Sequence, residues 1–228
     1  MSKTLQDHFS KLLIDRRSTR AYLERDVDED IVSKILNIAR HTQSGGNMQP
    51  WRVSVLRKKT ISRLQTAIAD DVSKTGFIDN GDYQYYPREH ISPYSERIQQ
   101  CGVDLHSALD IGRRDTAMAR SQRMKNFEFF GAPVGLIITM NKSLEQGSWI
   151  DVGLFLNSLT LAISAYGLSS CVQASFSSYG DIIRNVLDLH HDKLVICGVS
   201  IGYADKEHPV NNIPQKRMAV DEFTEFYP

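Results

Sequence analysis

The chain has 228 residues, 27 basic and 27 acidic side chains, and 41% hydrophobic residues; that is enough for one globular domain with an ordinary core. A zero net charge argues against a broad nucleic-acid or membrane-surface footprint. MSKTLQDHFSKLL at the start has no apolar run of signal-peptide length, and Cys101, Cys171 and Cys197 are too far apart for a metal or disulfide framework, so reduced thiols and a cytoplasmic location are expected.

Leu5, Phe9, Leu12 and Leu13 recur at helical spacing and predict a first helix. It ends at Arg16-Arg17-Ser18-Thr19-Arg20, three guanidiniums and two hydroxyls within five residues. Guanidinium forks bind phosphate oxygens in pairs and stay charged at any working pH. A solvated basic turn would look the same in isolation. Here apolar residues flank the cluster, and Lys216-Arg217 supplies a second basic element near the other end. The expectation is that these cations converge on one anionic cofactor.

Val27-Asp28-Glu29-Asp30 reads as a capped helix start with acids in the first turn. Ile31, Ile35, Leu36 and Ala39 give that helix its stripe, and it stops near His41. In the loop that follows, Gly45 and Gly46 permit close backbone approach, while Ser44, Asn47 and Gln49 present polar groups. A plain helix-to-strand loop uses the same residues. Trp51 to Leu56 is a predicted strand, and Ile61, Leu64, Ile68 and Val72 mark another helix.

Residues 75–94 carry Tyr83, Tyr85, Tyr86 and Tyr94 without a clear period. An aromatic lid, a binding wall or a dimer contact would each use them. Ser92-Pro93 reads as an N-cap with proline at the first helical position, followed by helix to about Asn126 with breaks near Gly102 and Gly112. Val134 to Met140 is a continuous apolar run, a buried strand. Gly147-Ser148-Trp149 precedes an apolar helix from about Ile150 to Tyr166 closed by Gly167; this segment contains Asp151 and is too short to span a bilayer. Ser170 to Ala174 and Leu194 to Tyr203 are strands, with a helix at Asp181 to Leu187 between them. The polar, proline-containing tail from Ala204 runs over a surface, that of the same chain or of a partner. None of His41, His90, His106, His190 and His191 has the spacing of a zinc site.

Taken in order, four pieces resemble the FMN-dependent nitroreductase family over essentially the whole chain. They are Arg16-Arg17-Ser18-Thr19-Arg20, then Ser44-Gly45-Gly46-Asn47-Met48-Gln49-Pro50-Trp51, then Gly202-Tyr203, and finally Arg217 before Asp221-Glu222-Phe223. Phe129-Phe130-Gly131-Ala132-Pro133-Val134-Gly135, Gly147-Ser148-Trp149-Ile150-Asp151 and Cys171-Val172-Gln173-Ala174 are most similar to the nitrobenzoate-reductase branch. The resemblance implies an α+β fold, a single α-β-α sandwich with a mostly antiparallel sheet, and an intertwined homodimer with FMN at the interface. Residues 75–95 would be the aromatic lid or binding segment, and residues 204–228 an extension onto the partner.

By position, the resemblance assigns Arg16, Arg17, Ser18 and Arg20 to the phosphate and ribityl end of FMN, with Arg217 completing the clamp. Ser44, Gly45 and Asn47 would line the flavin from the partner subunit. Gln173, Ala174 and Ser175 would offer N–H groups toward N5 and O4, and Asn126 would reach the pyrimidine side. Gln43 and Gly45 depart from the family's usual Pro and Ser. Lys216 could meet the phosphate or solvent, and Gln49 and Trp51 could be structural or ligand-facing.

The implied activity is NADH- or NADPH-dependent reduction of nitroaromatics, quinones or similar acceptors, by ping-pong hydride transfer through flavin N5. No side-chain nucleophile is required. The alternatives are a flavin-dependent enone reductase or dehalogenase, and a non-catalytic flavin-binding protein. No nucleic-acid or membrane partner is expected.

Overall fold

The computed structural model describes residues 3–79 and 81–228; Asn80 of the aromatic segment lies outside them. Among the described residues the chain forms seven α-helices and one four-stranded sheet. The strands are β1 (Arg52–Arg57), β2 (Val134–Asn141), β3 (Ser169–Gln173) and β4 (Lys193–Gly202), in the order β1-β2-β4-β3 with every pair antiparallel. The expected antiparallel sheet is therefore present.

β2 and β4 read as unbroken apolar runs because helices cover both faces of the sheet. Val134, Leu136, Ile138 and Met140 point to a core shared with α2 (Glu29–Ala39) and α6 (Gln146–Ala165). Ile137 and Leu56 point to the opposite core, made with α3 (Lys58–Thr75) and α7 (Gly180–Leu187). This alternation is the period-two geometry of a strand. Each fully buried side chain of this size contributes about 1.5–3 kcal/mol through burial.

The helix starts follow their local chemistry. Asp28 caps α2 by accepting from the Asp30 N–H at 2.9 Å. Asp115 caps α5 (Thr116–Met124) by accepting from the Met118 N–H at 2.9 Å. Gly167 at φ 70° closes α6 in the left-handed conformation that glycine adopts freely. The first helix, α1 (Lys3–Asp15), forms where its spacing predicts.

Three boundaries differ from the expectations. α4 (Tyr94–Ala108) passes Gly102 unbroken, because one exposed glycine costs a helix only about 1 kcal/mol; the break falls at residues 109–115, around Gly112. Pro93 occupies the N-cap position rather than the first helical one, and the Ile91 carbonyl accepts from the Tyr94 and Ser95 N–H groups in place of a side-chain cap. α6 begins at Gln146, so Gly147-Ser148-Trp149 lies inside it. Its 20 residues make it long and apolar enough to cross a bilayer, contrary to the sequence reading. Val152, Phe155, Leu159 and Ile163 nevertheless bury one face of it in the core.

The outer edge of β3 is covered by the arginine cluster. Ser18 bridges Ser170 in parallel, and the Thr19 N–H donates to the Ser170 carbonyl at 3.0 Å. Four residues on, the Leu23 N–H donates to the Tyr203 carbonyl at 2.8 Å. Gly202 explains that second contact: a Cβ there would lie 2.8 Å from both the Tyr22 ring and Pro133. Asn211 then ties the start of the tail to the same edge segment, accepting from the Arg20 N–H at 2.8 Å and donating to the Ala21 carbonyl at 2.8 Å.

Candidate functional site

A cleft of about 1060 Å³ opens between the end of β3, the first turns of α6 and the aromatic segment. Arg20, Asn126, Gln173, Ala174 and Ser175 all line it, so five of the residues assigned by resemblance meet in one place. Arg16 and Ser18 stand close by. Burial raises the Cys171 thiol above its ordinary range, and Arg20, the Ser18 hydroxyl and Arg16 each oppose that shift. Arg17 is exposed and donates to the Ile213 carbonyl at 3.3 Å, which holds the tail against the cluster.

The far wall is aromatic and firmly anchored. Asp82 is buried and grips the buried Arg184 guanidinium through both oxygens, at 2.5 and 2.9 Å. The same carboxylate accepts from the Val195 N–H at 2.7 Å. Gly180 makes room for it: a Cβ at Gly180 would lie 2.2 Å from the Asp82 carboxylate. One residue on, the Tyr83 hydroxyl donates to the Ile196 carbonyl at 2.7 Å, and its ring meets Trp149 edge-on at 4.7 Å. Burial holds the Tyr83 phenol well above its usual range, so it stays a neutral donor. Tyr85 and Tyr86 continue the wall with more exposure.

Gln173 carries an orphaned group. Its amide nitrogen donates to the Asn126 carbonyl at 2.6 Å, while its buried Oε1 has no partner. Leaving such an acceptor dry costs about 1–3 kcal/mol, so a ligand N–H there would be favoured. Ala174 opens a short helical run, Ala174–Tyr179, whose first N–H groups lack intrahelical partners. Guanidinium donors, the N–H groups at the start of this run and one unpaired carbonyl acceptor fit an anionic group attached to a flat, amide-edged ring.

Four assigned residues lie elsewhere in the single chain. Ser44, Gly45 and Asn47 are on the other side of α6, where the Gly45 N–H donates to the buried Asp151 carboxylate at 3.0 Å. Arg217 is exposed on the tail and donates to the neighbouring Lys216 carbonyl. Gln49 is exposed and bonds within its own loop, through Ser44 Oγ and the Asn47 carbonyl. Trp51 is structural: it is buried and stacks on Phe155 at 4.8 Å. Trp149, which the fold brings to the cleft, and the Asp82–Arg184 pair, which anchors its aromatic wall from behind, were not assigned to the site from the sequence. The i,i+3 spacing of Asp181 and Arg184 is visible in the chain, whereas Asp82 is 102 residues away and leaves no spacing signal.

The nitroreductase family model matches residues 13–203. A nitrobenzene nitroreductase of Ectopseudomonas oleovorans is 35% identical over 215 residues, 94% of this chain and 95% of its own length. A 4-nitrobenzoate reductase of Pseudomonas putida is 35% identical over 225 residues, 97% of this chain and 96% of its own. The crystal structure of the FMN-dependent nitroreductase NfnB from Mycobacterium smegmatis, in complex with NADPH, superposes with a TM-score of 0.93 at 28% identity, covering 98% of this chain and all of that one. Cleft, topology and these likenesses agree: the chain belongs to the nitroreductase family.

Proposed function

We propose that this chain is an FMN-dependent NAD(P)H oxidoreductase that reduces nitroaromatics, quinones or similar electron-poor acceptors. The observation that carries the reading is the meeting of Arg20, Asn126 and Gln173 to Ser175 in one cleft, beside Arg16 and Ser18. FMN, when bound, supplies the two-electron chemistry that takes hydride from a reduced nicotinamide and passes reducing equivalents to the acceptor. The protein's part is position, electrostatics and exclusion of water. Arg16, Arg17, Ser18 and Arg20 hold the phosphate and ribityl end. The Asn126 and Gln173 amides and the N–H groups of Ala174 and Ser175 hold the polar edge of the ring. Tyr83 and Trp149 wall the space in which donor and acceptor take turns, and the Tyr83 hydroxyl, donating to the Ile196 carbonyl, holds that wall in place.

A second copy completes the site in this reading. Leu5, Phe9 and Ile14 on α1, Ile150 on α6, and Phe223 and Phe226 on the tail are exposed in the single chain. Apolar surface of that extent favours pairing. Pairing would bring Ser44, Gly45 and Asn47 of one copy, and the tail with Arg217, to the cleft of the other.

The test is an absorbance spectrum of the purified protein before and after anaerobic addition of NADPH or NADH. Flavin bands that bleach with the donor and return when a nitroarene is added are the expected result. A colourless protein that takes up no added FMN would refute the proposal and return the arginine cluster to a solvated turn. Flavin that stays oxidised with either donor would leave a binding protein without turnover.

A further inference from the structure

A second recess, of about 720 Å³, adjoins the cleft, and the two share Arg20, Arg123 and Asn126 in their walls. One side of the recess is α5. Thr116, Ala119, Arg120 and Arg123 lie three or four residues apart, so one helix face turns two guanidiniums toward the space. Across from them is Phe77, whose ring centroid is 5.2 Å from the Arg120 guanidinium and 4.2 Å from that of Arg123. Phe130 extends the apolar floor. Among the described residues no carboxylate lines the recess. The acid that touches it is Asp79, 2.5 Å from Arg123 with its side chain 78% exposed. Such a surface pair is weakly held and can give way to a stronger anion.

Those parts suit a phosphorylated aromatic ligand. Guanidiniums pair with phosphate oxygens in a fork, and their flat faces and a phenyl ring stack on a base. A volume of that size holds a nucleotide, whereas a benzoate would leave most of it empty. Resting on the flavin reading above, we infer that this recess takes the adenosine half of the reduced dinucleotide, with Arg120 and Arg123 on a 2′-phosphate. The nicotinamide half then reaches the adjoining cleft past Arg20 and Asn126. The donor is NADPH rather than NADH, and the preference is set by α5, not by the cluster that serves FMN.

Steady-state kinetics of the flavin-loaded protein test this with three variants. Arg120→Gln/Arg123→Gln should raise KM for NADPH about tenfold or more, and several times more than it raises KM for NADH. Arg123→Lys should fall between the double variant and the natural chain. Asp79→Asn should act in the opposite direction and lower KM for NADPH, because it frees the Arg123 guanidinium. Adenosine 2′,5′-bisphosphate should compete with NADPH and bind more tightly than 5′-AMP, a difference that the double variant abolishes. Equal effects on both donors, or an effect on KM for 4-nitrobenzoate instead, would overturn the assignment. A protein that holds FMN and oxidises NADPH but ignores the bisphosphate refutes this inference alone. A protein without FMN refutes the reading beneath it.

Discussion

Arg20 joins the sheet edge to the cleft: its N–H is held by Asn211 while its guanidinium reaches the site wall. In the proposed role, a charge-assisted bond from Arg20 to a phosphorylated cofactor would contribute about 1.5–3 kcal/mol. Arg20→Ala is therefore expected to weaken FMN binding by roughly ten- to a hundredfold, read as flavin retained per chain after gel filtration, with the melting curve of added-FMN samples otherwise near normal. Cys197 gives a prediction of another kind. Burial pushes its thiol from an ordinary 9.0 up to about 12. Above pH 9 the unfolded chain gives up this proton and the folded chain keeps it, so stability present below pH 9 is lost as pH rises toward 12. The slope is about 1.4 kcal/mol per pH unit from this group. Tyr22 and Cys171 are raised by burial too and add to the trend. Denaturant midpoints between pH 9 and 11 should therefore fall more steeply for the natural chain than for Cys197→Ala.

Among the elements, the aromatic segment is anchored by a buried ion pair together with the Tyr83 hydroxyl on the Ile196 carbonyl. Asp82 and Arg184 are both buried, and Asp181 adds a further contact to Arg184 at 2.7 Å. Removing one partner from a buried pair leaves a charge without compensation, at a cost of about 3–5 kcal/mol. Asp82→Asn should lower Tm by on the order of 10 °C and raise KM for the acceptor, because Tyr83 loses its anchor. If Tm falls while acceptor kinetics stay constant, the tyrosines are not a wall of the working site. α5 shows how an element hides its role. Along the chain Arg120 and Arg123 are charges on a short helix, and only their stacking on Phe77 gives them a direction.

At the scale of the whole molecule, a single chain leaves too much apolar surface uncovered. Ile14 is 75% exposed and Phe226 is 88% exposed. Light scattering should give twice the 25.8 kDa chain mass. Phe9→Glu/Ile14→Glu should shift the protein toward the monomer and lower its flavin content, since each site would lose the other copy's loop 44–47. A stable monomer that keeps its flavin would place the whole site within one chain.

The sequence by itself determined the order and type of most elements, and it named the residues proposed for the clamp. Helical and strand periods come from burial of one face, and a five-residue run of guanidiniums and hydroxyls is legible because its members are neighbours in the chain. Family membership was legible for the same reason, through short motifs in a fixed order. What only the tertiary structure decided lies between distant residues. Asp82 finds Arg184 across 102 positions, Gln173 finds Asn126 across 47, and Trp51 is claimed by Phe155 rather than by a ligand. The start of α6 at Gln146 and the uninterrupted course of α4 through Gly102 belong to the same group. Local propensity differs there by about 1 kcal/mol or less per residue, and packing contributes several times that.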